Sequence, residues 1–239
     1  MLNTIKHIKI ILNNKASLIK TIYYNFKYLP LKQASKLPMI IFRGVSISGK
    51  GRIVLKDLNK MEQYSIYVGG RALQWMPSEK ICHTVWKIDG VLQLGKSFYF
   101  GCGGAIEVGE NGELRFEENF NSTGKCTIIC RNNIQFKKDV LVSWNTLIMD
   151  SDQHTLLNEN GIGINFDDSI VIGNHVWISC NVTILKKSYI NDNCVVGCNS
   201  LIQKKYNEKN VVIAGNPAIV CKEKINWSYD KPKKNFVIN

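Results

Sequence analysis

Residues 170–205 read IVIGNHVWISCNVTILKKSYINDNCVVGCNSLIQKK, and their periodicity decides the fold. An aliphatic residue returns every six positions, at Ile172, Ile178, Ile184, Ile190, Val196 and Ile202. Two places earlier in each hexad stand Ile170, Val176, Val182, Ser188, Cys194 and Ser200, all small or aliphatic. A helix face repeats near 3.6 residues and a half-buried strand near 2, so neither period alone explains the pattern. Six is a multiple of two. Each hexad can therefore be a short strand with two inward residues, followed by a corner of Gly, Asn, Asp or Lys where the chain turns. Such a chain is expected to be a solenoid whose coils pack only on their neighbours.

Upstream, Val45/Ile47 and Ile53/Leu55 form inward pairs, and Phe136, Val142 and Ile148 again lie six apart. Residues 57–90 lose the rhythm and read as a coil carrying a looped excursion. Between Asp152 and Ser169 the text DQHTLLNENGIGINFDDS has no hexad pattern, and the repeat resumes in phase at Ile170. An interruption of this length in a regular wall is expected to carry function rather than structure.

The chain has 31 Lys and Arg against 19 Asp and Glu, a net charge of +12, and the excess is uneven. Eleven of the basic residues fall within 1–56, before the first acidic residue, Asp57, so the remainder is near neutral. The apolar residues Leu18, Ile19, Ile22, Tyr23, Phe26 and Leu29 recur at three- and four-residue steps, which predicts an amphipathic helix ending before Pro30. A second short helical piece is expected over residues 3–12. Such a helix can cap the open first coil, or lie on an anionic membrane surface through residues 1–36. The opening run is read as neither a signal peptide nor a membrane span. The basic cluster carries no nucleic-acid-binding motif, so no nucleic acid partner is expected. Eight cysteines without a Cys-x-x-Cys pair, and without nearby His partners, read as reduced thiols of a cytoplasmic protein and not as a metal site. Three segments follow: a basic helical segment over 1–42, a repeat domain over 43–222 with a loop insertion at 152–169, and a basic tail over 223–239.

These residues resemble the hexapeptide-repeat acyltransferases. The likeness rests on IVIGNHVWIS, on VVGCNSLI and on the closing GNPA at 215–218, and it extends over roughly residues 45–222. The resemblance implies an all-β fold, a left-handed parallel β-helix with three hexads per coil. The hand comes only from the resemblance, since general crossover rules favour the opposite one. Within the family, VSWNTLIMDSDQH at 142–154 resembles the phrase of the saccharide O-acetyltransferases of surface-polysaccharide synthesis.

The resemblance implies His154 as the catalytic base, the neutral imidazole that takes a proton from a sugar hydroxyl as it attacks an acetyl thioester. Asp152 is expected to orient that ring, and Asp150, Trp144 and Asn145 to contact the sugar. For the donor it implies acetyl-CoA as co-substrate, lying between subunits of a homotrimer along Trp177, Ser179, Gly197 and Asn199. Lys204 and Lys205 are expected near its phosphates, and Asn216 and Pro217 near its adenine. Ile219 stands where many relatives carry Arg, so Lys222 joins the phosphate candidates. No metal ligand set is read. The acceptor expected is a lipid-linked saccharide of capsule or O-antigen type at the inner face of the cytoplasmic membrane. Two other functions stay open at this point: N-acetylation of an amino sugar, and a β-helix scaffold that binds without acyl transfer.

Overall fold

Alternation of inward and outward side chains makes each hexad a strand. Ile170 and Ile172 are buried around a half-buried Val171, and Val176 and Ile178 around Trp177. In the computed structural model, which describes residues 16–56, 66–70 and 82–230, all twelve first- and third-place residues of 170–205 are buried. The helical piece expected over 3–12, and most of the excursion within 57–90, lie outside the described residues.

Successive strands enter three separate sheets in rotation. Val140–Val142 belongs to the first sheet, Leu147–Met149 to the second and Ile170–Ile172 to the third; Val176–Ile178 then returns to the first. Among the described residues the sheets hold nine, seven and seven strands. Pairing is parallel throughout, each strand lying on the one three places earlier, until Ala218–Lys222 turns back antiparallel on Val212–Gly215. The irregular middle also supplies strands, Ile66–Gly70 to the first sheet and Thr84–Ile88 to the second.

Two of the three kinds of corner between sheets use a residue in the left-handed region. From the third sheet to the first these are Ser97, Asn119, Asp139, His175, Asn193 and Asn210, with φ between 53° and 61°. Each of the last five donates its N–H to a carbonyl of the coil before, as Asn193 does to Asn174 at 2.8 Å. Asn and Asp tolerate this conformation best among residues with a Cβ, which explains their return at hexad ends.

The core changes character along the axis. Its early part is filled by Trp86, Phe98, Phe100, Phe116, Phe120 and Phe136, with Phe116 and Phe136 stacked at 4.8 Å between ring centroids. Those coils are also longer, Thr127 lying over Ala105 while Val195 lies over Trp177 eighteen residues back. Cys126, Cys130 and Cys194 are buried free thiols in this core.

At the amino-terminal end, helix α1 spans Leu18–Tyr28, its first turn capped by Ser17 Oγ, and helix α2 spans Leu31–Ala34. Polar residues cover the exposed edge of the strand Met39–Ile41. Thr21 Oγ1 accepts from the Ile41 N–H at 3.0 Å, and Asn25 brackets Met39 through both its N–H and its carbonyl. At the other end, Trp227 is buried and stacks on His175 at 4.3 Å, so the expected tail begins as packed structure.

The corner geometry yields a stability test at Asn193, whose side chain has no described hydrogen bond. Asn193→Gly is expected to change unfolding free energy by less than about 0.5 kcal/mol, whereas Asn193→Val costs ~1–2 kcal/mol because a β-branched residue resists the left-handed region. Urea unfolding followed by circular dichroism measures both.

Candidate active site

The repeat breaks after the second-sheet strand Leu147–Met149, and the break is held at its root by Asp150. That side chain is fully buried, and its carboxylate accepts the backbone N–H groups of Arg131 at 2.7 Å and Asn132 at 2.9 Å. Burial raises its pKa, with the two amide donors opposing. Asp150, expected to contact a sugar, instead has both oxygens engaged by the backbone of the wall.

From Ser151 the chain leaves the wall. Residues 156–164 form a small arm, with Asn158 N–H bonded to the Ile162 carbonyl and Ile164 N–H to that of Leu156, both at 2.9 Å. The loop insertion thus has hydrogen bonds of its own. Leu156, Leu157, Ile162, Ile164 and Phe166 point into solvent from it.

His154 is exposed and lines an open cleft of about 530 Å³ together with Arg131, Ser151, Gln153, Thr155, Gly163, Asn165, Phe166 and Asp167. Asp152 does not hold the imidazole. Its Oδ2 accepts from Lys186 Nζ at 2.6 Å and from Asn165 Nδ2 at 2.7 Å. The lysine bond is the main cause that lowers the Asp152 pKa, and Asn165 adds to it. Asn165 Nδ2 also donates to the carbonyl of His154 at 2.9 Å, and Lys186 to that of Asn165 at 2.9 Å. The expected carboxylate–imidazole pair is therefore replaced by a clamp on the main chain of His154, since a full ammonium charge binds the carboxylate more strongly than a neutral ring does.

Lys186, Asn165 and Arg131 were not singled out from the sequence. Lys186 could have been, because Met149 pairs with Leu185 once the loop is removed from the count, which stacks the next corner residue beside the loop root. Asn165 and Arg131 carry no such signal.

The remaining candidates fall on other parts of the wall. Trp144 is half-buried and Asn145 exposed at the corner leading from the first sheet to the second, where Asn145, Asn181 and Asn199 stack with φ of 56°, 57° and 57°. Trp177 lies outward on the first sheet, its Nε1 donating to Ser143 Oγ at 3.2 Å, with Trp227 at 6.2 Å. Ser179 and Gly197 follow at the same corner as Asn199, and Asn216 and Pro217 form the turn beyond them. A Cβ on Gly197 would come within 2.8 Å of the Ala214 Cβ, so coil stacking by itself requires glycine there. Lys204 sits at the corner leading to the third sheet, on the same side as His154, and Lys205 is exposed on that sheet's last strand. One chain thus separates Ser179, Gly197 and Asn199 from His154 by the width of the second sheet, roughly 15 Å.

Residues 169–204 match the family model described as bacterial transferase hexapeptide (six repeats). WbbJ of Escherichia coli K12, a proposed lipopolysaccharide biosynthesis O-acetyl transferase, is 28% identical over 144 residues, covering 56% of this chain and 73% of that protein. The galactoside O-acetyltransferase of the same strain is 35% identical over 127 residues, 52% of this chain and 57% of the relative. The chain therefore spans little more than half the length of that second protein. Among solved structures, the polysialic acid O-acetyltransferase OatWY superposes with a TM-score of 0.58 over 78% of this chain and 93% of that one, at 24% identity. That likeness concerns the fold.

Removing the root of the loop and removing its clamp should differ in stability. Asp150→Ala leaves the Arg131 and Asn132 amide donors without their carboxylate and is expected to cost ~1–3 kcal/mol, whereas exposed Asp152→Ala is expected to stay within about 0.5 kcal/mol. Denaturant unfolding of the two variants reads the contrast.

Proposed function

We propose that this chain, which carries a hexapeptide-repeat transferase domain, is an acyltransferase: an acetyl-CoA-dependent O-acetyltransferase of a sugar hydroxyl on a cell-surface polysaccharide precursor. The three sheets are taken as the faces of a left-handed parallel β-helix. The named activities of the relatives support an acetyl donor and a saccharide acceptor. One observation carries the reading: the repeat is broken after Leu147–Met149, and an exposed imidazole stands at that break in an open cleft, with its main chain clamped by Asp152, Lys186 and Asn165.

In this reading His154 accepts the proton of the sugar hydroxyl as that oxygen bonds to the acetyl carbonyl carbon. The carbon–sulfur bond then breaks, and the proton passes from the imidazole to the departing thiolate, so that ester and free thiol are the products. The clamp keeps the imidazole at the cleft mouth without consuming its nitrogens. The charged Asp152–Lys186 pair lasts until pH falls through the depressed Asp152 pKa, so it is intact throughout the neutral range where an imidazole base is active.

Exposed Lys204, Lys205 and Lys222 fit the anionic end of coenzyme A, and its amide arm would run along the corner of Ser179, Gly197 and Asn199. Because that corner and His154 lie on opposite edges of the second sheet, we place the reaction between copies of the chain, as in a homotrimer where the edge of one faces the loop of the next. A cytoplasmic location follows from the donor. Among the described residues no helix is long and apolar enough to cross a membrane.

With acetyl-CoA and a panel of nucleotide- and lipid-linked sugars, thiol release should fall ~10²–10⁴-fold in His154→Ala while the circular dichroism spectrum is unchanged. Turnover that survives the substitution removes His154 from the reaction. A product that resists mild base would be an amide rather than an ester and would overturn O-acetylation.

A further inference from the structure

Helix α1 is built with its polarity reversed. Its inward arc is Thr21, Tyr24 and Asn25, all buried, and two of these are polar side chains committed to the backbone of Met39–Ile41. Its outward arc is apolar: Leu18, Ile19, Ile22, Tyr23 and Phe26 are exposed, Ile19 to 81%. Leu31 at the start of α2 extends the patch at 74%. A contiguous outward group of this size exceeds what scattered surface residues produce in a soluble domain.

We propose that this outward arc docks on an anionic lipid bilayer. The choice of occupant rests on charge. Lys27, Lys32 and Lys36 are exposed beside the arc, and no acidic residue occurs anywhere in residues 1–56. Lys27 Nζ lies 4.9 Å from the ring centre of Tyr28 and 5.8 Å from that of Tyr23, a cation lying along the aromatic border of the patch. Lys20 is excluded from this set because its ammonium is spent on the carbonyls of Arg43 and Val45, at 2.8 and 2.7 Å. An apolar arc edged by tyrosine and lysine suits the boundary between acyl chains and headgroups. A second copy using the same face would set these lysines against their own counterparts, whereas anionic headgroups neutralise them.

The helix lies flat because its inward residues are pinned to the first sheet, so docking leaves the fold unchanged. The inference does not depend on the acetyl-transfer reading, and its test needs no substrate. The full-length chain should co-float with vesicles of phosphatidylcholine mixed with phosphatidylglycerol, and not with phosphatidylcholine alone. Exchanging Lys27 or Lys32 for Glu should weaken binding by about fivefold or more each, and added salt should act in the same direction. Ile19→Glu with Phe26→Glu should abolish co-flotation; Ile19→Ser with Phe26→Ser serves if the first pair disturbs folding, with circular dichroism as the control. Binding that persists in a folded double variant overturns the proposal. So does a wild type that ignores the anionic vesicles but forms a dimer which the double variant dissolves, since a second copy would then be the occupant.

Discussion

Everything in this molecule depends on each strand lying in register on the strand three places before it. That pairing satisfies the backbone of one coil with the backbone of the next, and it leaves only two side chains per face to fill the interior. The interior is consequently narrow. Its occupants must be rings where the coils are long, as with Phe98, Phe116 and Phe136, and Ile, Val, Ser or Cys where they shorten towards Ile202. The same constraint governs the corners from the third sheet to the first, where a left-handed residue turns the chain and, from Asn119 on, donates its N–H to the coil before.

A wall of this kind can tolerate irregularity only by expelling it. The insertion after Asp150 leaves at a corner and returns at Ile170 with the ladder intact, Ile134 pairing with Ile170 and Leu147 with Thr183. Expulsion has a chemical consequence. The main chain on the wall is held by its coil, but on the loop it has to be held by added contacts, and here these are the carboxylate of Asp152, the ammonium of Lys186 and the amide of Asn165. Two aspartates two residues apart thereby take opposite tasks: Asp150 is buried to anchor the exit, and Asp152 is exposed to hold the backbone beside it.

The two ends of the stack solve a shared problem with different materials. An open strand edge needs hydrogen-bond partners, and at Met39–Ile41 they come from the side chains of Thr21 and Asn25 on a helix. Using polar residues inward leaves the apolar ones outward, so capping the edge itself creates the exposed arc. At the far end the chain caps itself, turning back through Asn216 and Pro217 into Ala218–Lys222 and then crossing to set Trp227 against His175 and Tyr229 against Asp139.

From its sequence alone the chain could be assigned its inward residues, because a six-residue period written over six hexads admits one set of buried places, and Ile170 through Ile202 occupy it. The position of the break was legible for the same reason, and with it His154 as the residue displayed there. The roles of its neighbours were not legible. Asp150 and Asp152 look equivalent in the text, and only the turn of the chain at the corner sends one inward to the amides of Arg131 and Asn132 and the other outward to Lys186. Lys186 lies 34 residues from Asp152, and Trp227 lies 52 from His175. Periodicity reports which side of its own strand a residue faces; which residue meets it there is decided by how coils stack and where loops return, and that exists only in three dimensions.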